Sequence, residues 1–245
     1  MKLAAIIPVV PIDLEAFTAV EHWRLTQHAA PGTEVHVLAV ERGVSVMQCR
    51  YDVALAVPEI LRRVREAQDL GCDGVLIDAF MDPGVAAAKE IAAIPVVGPI
   101  EATVGMLLPI CERFSVIAVI PNEIAHQRDV FRTLGVEHRV ASIRSINTGV
   151  RGLMTLTHDE QEQLLFGMMR TMVEQDGAQA IVFGCTGVFN LAQPLMERAR
   201  TELGQVVPVI EPSIAALKML EGLVSLGLGP SKRLFADPPL QPEVA

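Results

Sequence analysis

The amino-acid sequence predicts an α/β fold of two lobes related by a pseudo-twofold axis, each a mainly parallel sheet flanked by helices. Three observations support this prediction. Segments of the first half recur in the second half, short β-branched runs alternate with longer amphipathic stretches, and an apolar fraction of 51% includes only 4% aromatic residues. Aliphatic interiors of this kind are typical of helices packed on parallel strands. We expect the active site to lie between the two lobes.

The internal repeat consists of three pairs of segments that occur in the same order in both halves. The longest pair aligns Ala79 of the first half with Cys185 of the second. Three matches in register indicate two copies of one structural unit. The paired segments are 6–8 with 119–121, 71–79 with 177–185, and 94–99 with 207–212.

Each copy is predicted to contain four strands with helices between them. Short runs rich in Val, Ile and Leu indicate buried strands, and longer amphipathic stretches indicate helices. Because strands and helices alternate, the strands should be parallel. The predicted strands are 3–9, 34–40, 74–78, 95–98, 114–120, 139–143, 180–184 and 207–210. The predicted helices are 53–70, 84–92, 123–134, 158–176, 189–204 and 213–226.

The order of these elements predicts the domain organisation. The first lobe is expected to comprise residues 1–100 together with the closing helix 213–226, and the second lobe residues 101–212. The proline-rich tail 230–245 is expected to be irregular and loosely attached.

Composition excludes several classes of partner. The net charge of −9 repels nucleic-acid backbones and anionic lipid, so we expect a small-molecule substrate, no nucleic acid and no membrane.

The four cysteines form no CxxC pair, which indicates a reducing compartment. Pro8 and Pro11 interrupt the apolar opening, which therefore reads as a first strand and not as a signal peptide. A cytoplasmic location follows from these two observations.

The strongest chemical candidate is Cys185, which directly follows a predicted buried strand. Gly184 precedes it and Gly187 follows it closely, so the backbone can approach a ligand here. In open α/β sheets, ligands bind beyond the carboxyl ends of the strands. Because amides of a loop or helix start favour a thiolate, we expect a lowered thiol pKa at Cys185.

Eight short motifs span the chain, at residues 71–73, 82–84, 95–98, 113–116, 184–187, 207–210, 226–228 and 231–232. They resemble those of the aspartate/glutamate/hydantoin racemase superfamily, most closely its hydantoin and allantoin racemase branch, over essentially the whole chain. The resemblance implies a cofactor-independent, oligomeric enzyme. It also implies two cysteines, one from each lobe, that remove and return the proton of a carbon acid from opposite sides.

The chain departs from this pattern at the first cysteine position, where it has Ala79. Alanine has no proton to give, so racemisation by two thiols cannot run. Either the protein is a natural one-thiol enzyme, similar to the arylmalonate decarboxylases of the superfamily, or Ala79 is a replacement introduced into a racemase. Asp78 is a weaker candidate for a base, because alternation along a strand should point it away from the Ala79 side.

Other departures concern substrate binding. The polar segment that hydantoin racemases share after the first strand is replaced here by residues 7–11, and Ala118 and Val119 stand where threonines are expected. Loss of hydrogen-bonding groups indicates a changed substrate, such as a less polar thiohydantoin. The residues expected to contact the substrate are Pro8, Val9, Phe80, Met81, Val119, Ile120, Thr186 and Gly187.

The preferred interpretation is a hydantoin racemase-like enzyme acting on a cyclic ureide, with Glu101 and Glu211 as further groups that could tune the site. A one-thiol decarboxylase, a thiohydantoin-desulfurating enzyme and a non-catalytic two-lobed binding protein stay open. The six histidines show no metal-ligand spacing and no glycine-rich phosphate loop is present, so we expect neither a metal nor a nucleotide cofactor.

Overall fold

The computed structural model describes residues 1–239 and contains two four-stranded parallel sheets. Their strand orders are equivalent, β2-β1-β3-β4 in the first and β6-β5-β7-β8 in the second. All eight predicted strands are confirmed, with shorter bounds at several ends. The strands are β1 Lys2–Ile7, β2 Glu34–Ala39, β3 Gly74–Ile77, β4 Val96–Val97, β5 Phe114–Ala118, β6 Val140–Ser145, β7 Ala180–Phe183 and β8 Val209–Ile210.

Helices cover the sheets, and each of the six predicted helical segments overlaps one of them. The prediction for 189–204 was too long at its start, because the helix begins at Ala192 and ends in a π-helical turn, Ala199–Leu203. Three helices, α1, α4 and α6, were not predicted. The helices are α1 Leu14–Thr26, α2 Arg50–Asp69, α3 Val85–Ile91, α4 Pro99–Leu107, α5 Asn122–Thr133, α6 Gly149–Met154, α7 His158–Asp176, α8 Ala192–Arg198 and α9 Pro212–Ser225.

Helix α4 joins the cores of the two lobes. Its Ala102 packs in a cluster with residues of the first sheet and α9, whereas Ile100 and Leu107 pack in a cluster with the second sheet. A helix buried on several sides has no single apolar stripe, which explains why its sequence did not read as amphipathic. The mutual position of the lobes therefore rests on apolar packing around α4.

The 82–84 motif contacts the first turn of α4. Asp82 accepts hydrogen bonds from the backbone N–H groups of Ile100 (2.8 Å) and Glu101 (3.0 Å), in the first turn of that helix. Burial raises the pKa of Asp82 to about 7, and these two N–H groups oppose that rise. A Cβ at Gly98 would lie only 2.5 Å from the Asp82 carboxyl carbon, so a larger residue there would displace this carboxylate. This motif is therefore structural.

The described part of the tail contacts the first lobe. Lys232 Nζ donates to the carbonyl oxygens of Glu90 (2.7 Å) and Lys89 (3.2 Å), at the end of α3. Residues 240–245 of the predicted tail lie outside the described residues. Among the helices of residues 1–239, none is both long and apolar enough to cross a membrane.

Candidate active site

A cavity of ≈ 530 Å³ lies between the lobes, at the carboxyl ends of β1, β3 and β7. Ala79 follows β3 and Cys185 follows β7, and both line the cavity. Because β3 and β7 hold equivalent places in their sheets, the two residues occupy pseudo-symmetric positions, as the internal repeat predicts. Within the part of the chain that the structure describes, Cys185 is the one thiol in the lining.

Six of the eight predicted substrate-contacting residues line this cavity: Pro8, Val9, Phe80, Met81, Thr186 and Gly187. Most of the remaining lining is apolar, and much of it comes from α1 and α6, which the sequence analysis missed. These further apolar residues are Ile7, Pro11, Ile12, Ala16, Phe17, Val20, Val46, Met47, Val150, Met154 and Phe189. The cavity is thus suited to an organic ligand with a substantial apolar part.

Val119 and Ile120 are placed differently from the prediction. Neither belongs to the cavity lining among residues 1–239, and the Val119 side chain packs inside the second-lobe core. Their backbone N–H groups instead lie near the carboxylate of Glu123 and oppose the rise in pKa that burial causes there. The side chains point elsewhere because the chain turns directly from β5 into α5 at this point.

Glu101 and Glu211 also lie outside the lining of the cavity, as far as the described residues show. Glu101 pairs with Lys89 (2.6 Å) and accepts the N–H of Gly98 at 3.1 Å. Glu211 accepts the backbone N–H groups of Leu191 (3.1 Å) and Ala192 (3.0 Å), at the start of α8. Both carboxylates therefore cap helices. Their positions after equivalent strands are compatible with either role, so the sequence alone could not separate helix capping from tuning of the site.

The Cys185 thiol is half-buried in the cavity wall. Burial raises its pKa to about 12; the Gly187 N–H, 3.4 Å from Sγ, opposes this rise, and the nearby Glu123 and Asp78 add to it. The expected lowering of this pKa was wrong. Helix α8 begins at Ala192, too far along the chain for its first turn to stabilise a thiolate. At neutral pH the resting group is a neutral thiol.

Tight backbone packing fixes the loop that carries Cys185. A Cβ at Gly184 would lie 2.7 Å from the carbonyl oxygen of Ile117 and 3.0 Å from Cα of Ala118. The Gln127 side chain donates to the Gly184 carbonyl at 3.3 Å. A larger residue at position 184 would displace the loop, and the thiol with it.

Asp78 is held in a buried ion-pair network. Arg24 donates to Asp78 Oδ2 at 2.6 Å, and Ser213 donates to Oδ1 at 2.6 Å. Arg24 also pairs with Glu21 and donates to the carbonyl of Thr186 at 3.2 Å, which ties the first lobe to the Cys185 loop. Burial raises the pKa of Glu21, and Arg24 opposes that rise. With both oxygens engaged, Asp78 serves structure and is not a free base.

Replacing Arg24 by methionine is expected to lower the free energy of unfolding by about 3–5 kcal/mol, because Asp78 and Glu21 would be left buried without their cation. Urea unfolding of the variant and the parent measures this difference. Arg200→Met, which removes an ion pair between two exposed side chains, Arg200 and Glu197, is the matched control and should cost less than about 1 kcal/mol. Equal effects of the two changes would contradict the network.

A family model for Asp/Glu/hydantoin racemases matches residues 15–220 of the 245-residue chain. The chain belongs to the Asp/Glu/hydantoin racemase family. The fold agrees with that of a solved racemase structure, and membership of the family makes the protein an enzyme of the racemase superfamily.

Individual members of the family agree with this assignment. The hydantoin racemase of Paenarthrobacter aurescens is 36% identical over 209 residues, which cover 84% of this chain and 85% of that protein. Allantoin racemase from Klebsiella pneumoniae has 32% identity and a TM-score of 0.89, covering 100% of this chain and 96% of that chain. Arylmalonate decarboxylase has 17% identity and a TM-score of 0.65, covering 93% of this chain and 94% of that chain, a likeness of fold alone.

Proposed function

We propose that this racemase-family protein moves a proton at one face of a five-membered cyclic ureide of the hydantoin, allantoin or thiohydantoin type, without a cofactor. Cys185 is the acid/base and Ala79 leaves the opposite face without one. The observation that carries the proposal is the pairing of a thiol and an alanine at pseudo-symmetric places in one cavity. The similarity to hydantoin and allantoin racemases supports the choice of substrate class.

The reaction uses the acidity of a ring C–H next to a carbonyl. The sulfur of Cys185 takes this proton as thiolate, the electron pair moves into the carbonyl, and the thiol then returns a proton to the same carbon. Both transfers occur on the Cys185 side. A substrate of one configuration therefore exchanges its hydrogen with solvent and keeps its configuration.

The predominantly apolar lining supports a ring with an apolar substituent. Side chains such as Phe17, Met47 and Phe189 surround a volume larger than the ureide ring alone needs. Water excluded from such a site does not compete for the carbanion. A sulfur-bearing ring is compatible with the same walls, because it demands fewer hydrogen bonds.

A second candidate is decarboxylation of a malonate-type acid. The raised pKa of Cys185, which burial pushes to about 12, favours it, because the resting neutral thiol is already the proton donor that a carbanion needs after loss of CO₂. The two candidates share the one-sided thiol and differ only in how the carbanion arises. We further propose a cytoplasmic homo-oligomer.

The deciding experiment incubates the enzyme in D₂O with single enantiomers of substituted hydantoins and thiohydantoins, and with aryl malonates. Deuterium uptake by NMR, CO₂ release and sulfide release are followed in parallel against samples without enzyme. Exchange on a ureide supports the first candidate, CO₂ release the second, and sulfide release a desulfurating enzyme. If none of the three occurs, the proposed function is wrong.

A further inference from the structure

Glu123, a residue for which no role was predicted, lies in the first turn of α5 and lines the cavity together with Cys185. It is buried, and its Oε2 atom has no hydrogen-bond partner among the described residues. A buried carboxylate oxygen without a partner is costly and needs an explanation.

The carboxylate faces the cysteine loop from one side of α5. Gln127, one helical turn later, donates to the Gly184 carbonyl at 3.3 Å, so this face of the helix packs on the loop that carries Cys185. Burial is the main cause of the raised pKa of the thiol, and the Gly187 N–H opposes it. Glu123 lies close enough for its negative charge to raise this pKa further. Helix α5 thus holds a carboxylate in the wall of the cavity that also contains the sulfur.

The environment of Glu123 suits proton exchange near neutral pH. Burial raises its pKa to about 7, while the N–H groups of Val119 and Ile120 oppose that rise. No counter-ion within residues 1–239 pairs with it. The other charged groups that line the cavity are Asp13 just before α1, Glu21 from α1, Asp78 after β3 and Arg151 from α6. Arg24 reaches the cysteine loop through the carbonyl of Thr186.

We propose that Glu123 is the proton partner of Cys185, taking the thiol proton before the sulfur attacks a substrate C–H and returning it afterwards. In the forward step, once bound substrate brings Oε2 within hydrogen-bond distance of Sγ, the S–H bond breaks, an O–H bond forms at Oε2, and the negative charge moves from carboxylate to sulfur. The thiolate then removes the carbon-bound proton. The carboxylate gives the thiol proton an acceptor inside the cavity, so that the thiolate can form transiently although burial keeps the resting group neutral. This inference deepens the proposed function and rests on it for the substrate step alone.

Two readouts that move in opposite directions test the proposal on E123Q. Loss of the carboxylate should slow deuterium exchange at pH 8 by roughly 10–100-fold and remove an inflection near pH 7 from its pH profile. Iodoacetamide alkylation of Cys185 should instead become faster at pH 8, by roughly tenfold, because removal of the negative charge makes the thiolate easier to form. A purely structural role for Glu123 would not produce this divergence.

The conservative variant E123D should keep the inflection, and E174Q, which changes an exposed carboxylate on α7, should match the parent in both assays. Unchanged alkylation and exchange profiles in E123Q would overturn the proposal, and so would a parallel fall of both. Should E123Q not fold, the alkylation profile of the parent decides, because it must itself show an inflection near pH 7. The alkylation assay uses no substrate, so its outcome is separate from the outcome of the proposed function.

Discussion

Cys185→Ser is expected to lower the rate of proton exchange at the substrate carbon by roughly 10²–10⁴-fold. The hydroxyl that replaces the thiol is a much weaker acid and cannot form the anion that removes the proton. The apolar walls of the cavity stay in place, so binding of the ring should change little. Deuterium uptake by NMR and substrate binding by calorimetry measure the two effects separately.

Cys111→Ser is the matched control, because Cys111 is also a half-buried free cysteine but lies beyond α4 and outside the cavity lining of the described chain. Its exchange rate should equal that of the parent. If Cys185→Ser retains exchange within a few-fold of the parent, the thiol is not the acid/base.

Ala79→Cys is expected to convert one-sided exchange into racemisation. A thiol at this position stands across the cavity from Cys185, so a carbanion made on one face can be protonated on the other. Loss of optical rotation should rise from the no-enzyme rate by roughly 10²-fold or more. Polarimetry on a single enantiomer records the change directly.

Met154→Cys controls for a second thiol placed elsewhere in the same cavity, on α6. It should leave the optical rotation of the substrate as stable as with the parent. Retention of configuration by Ala79→Cys would show that the two positions do not face one substrate carbon, and the pseudo-symmetric account of the site would fail.

The strands and the placing of Ala79 and Cys185 could be predicted from sequence because their signals are local. Buried parallel strands are continuous apolar runs, and a repeat aligns equivalent loops whatever the rest of the chain does. The cavity between the lobes followed from the general position of ligands beyond the carboxyl ends of strands.

The features that could not be predicted from the sequence depend on neighbours that are distant along the chain. Helix α4 is packed between two cores and α1 exposes Leu14, Val20 and Trp23, so neither has one apolar stripe to recognise. The pKa of Cys185 depends on burial and on Glu123, which lies far away along the chain. Glu123 itself looked like an ordinary polar residue at a helix start, and only its position over the cysteine loop distinguishes it.

The most direct measurement of the central claim is the configuration of a chiral ureide after exchange in D₂O by the unmodified protein. Each enantiomer of a substituted hydantoin is incubated separately, and deuterium content and configuration are read together against a sample without enzyme. The account predicts that one enantiomer takes up deuterium with its configuration retained, while the other does not exchange. Racemisation of both enantiomers at the rate of exchange would contradict a single proton-transferring thiol facing Ala79.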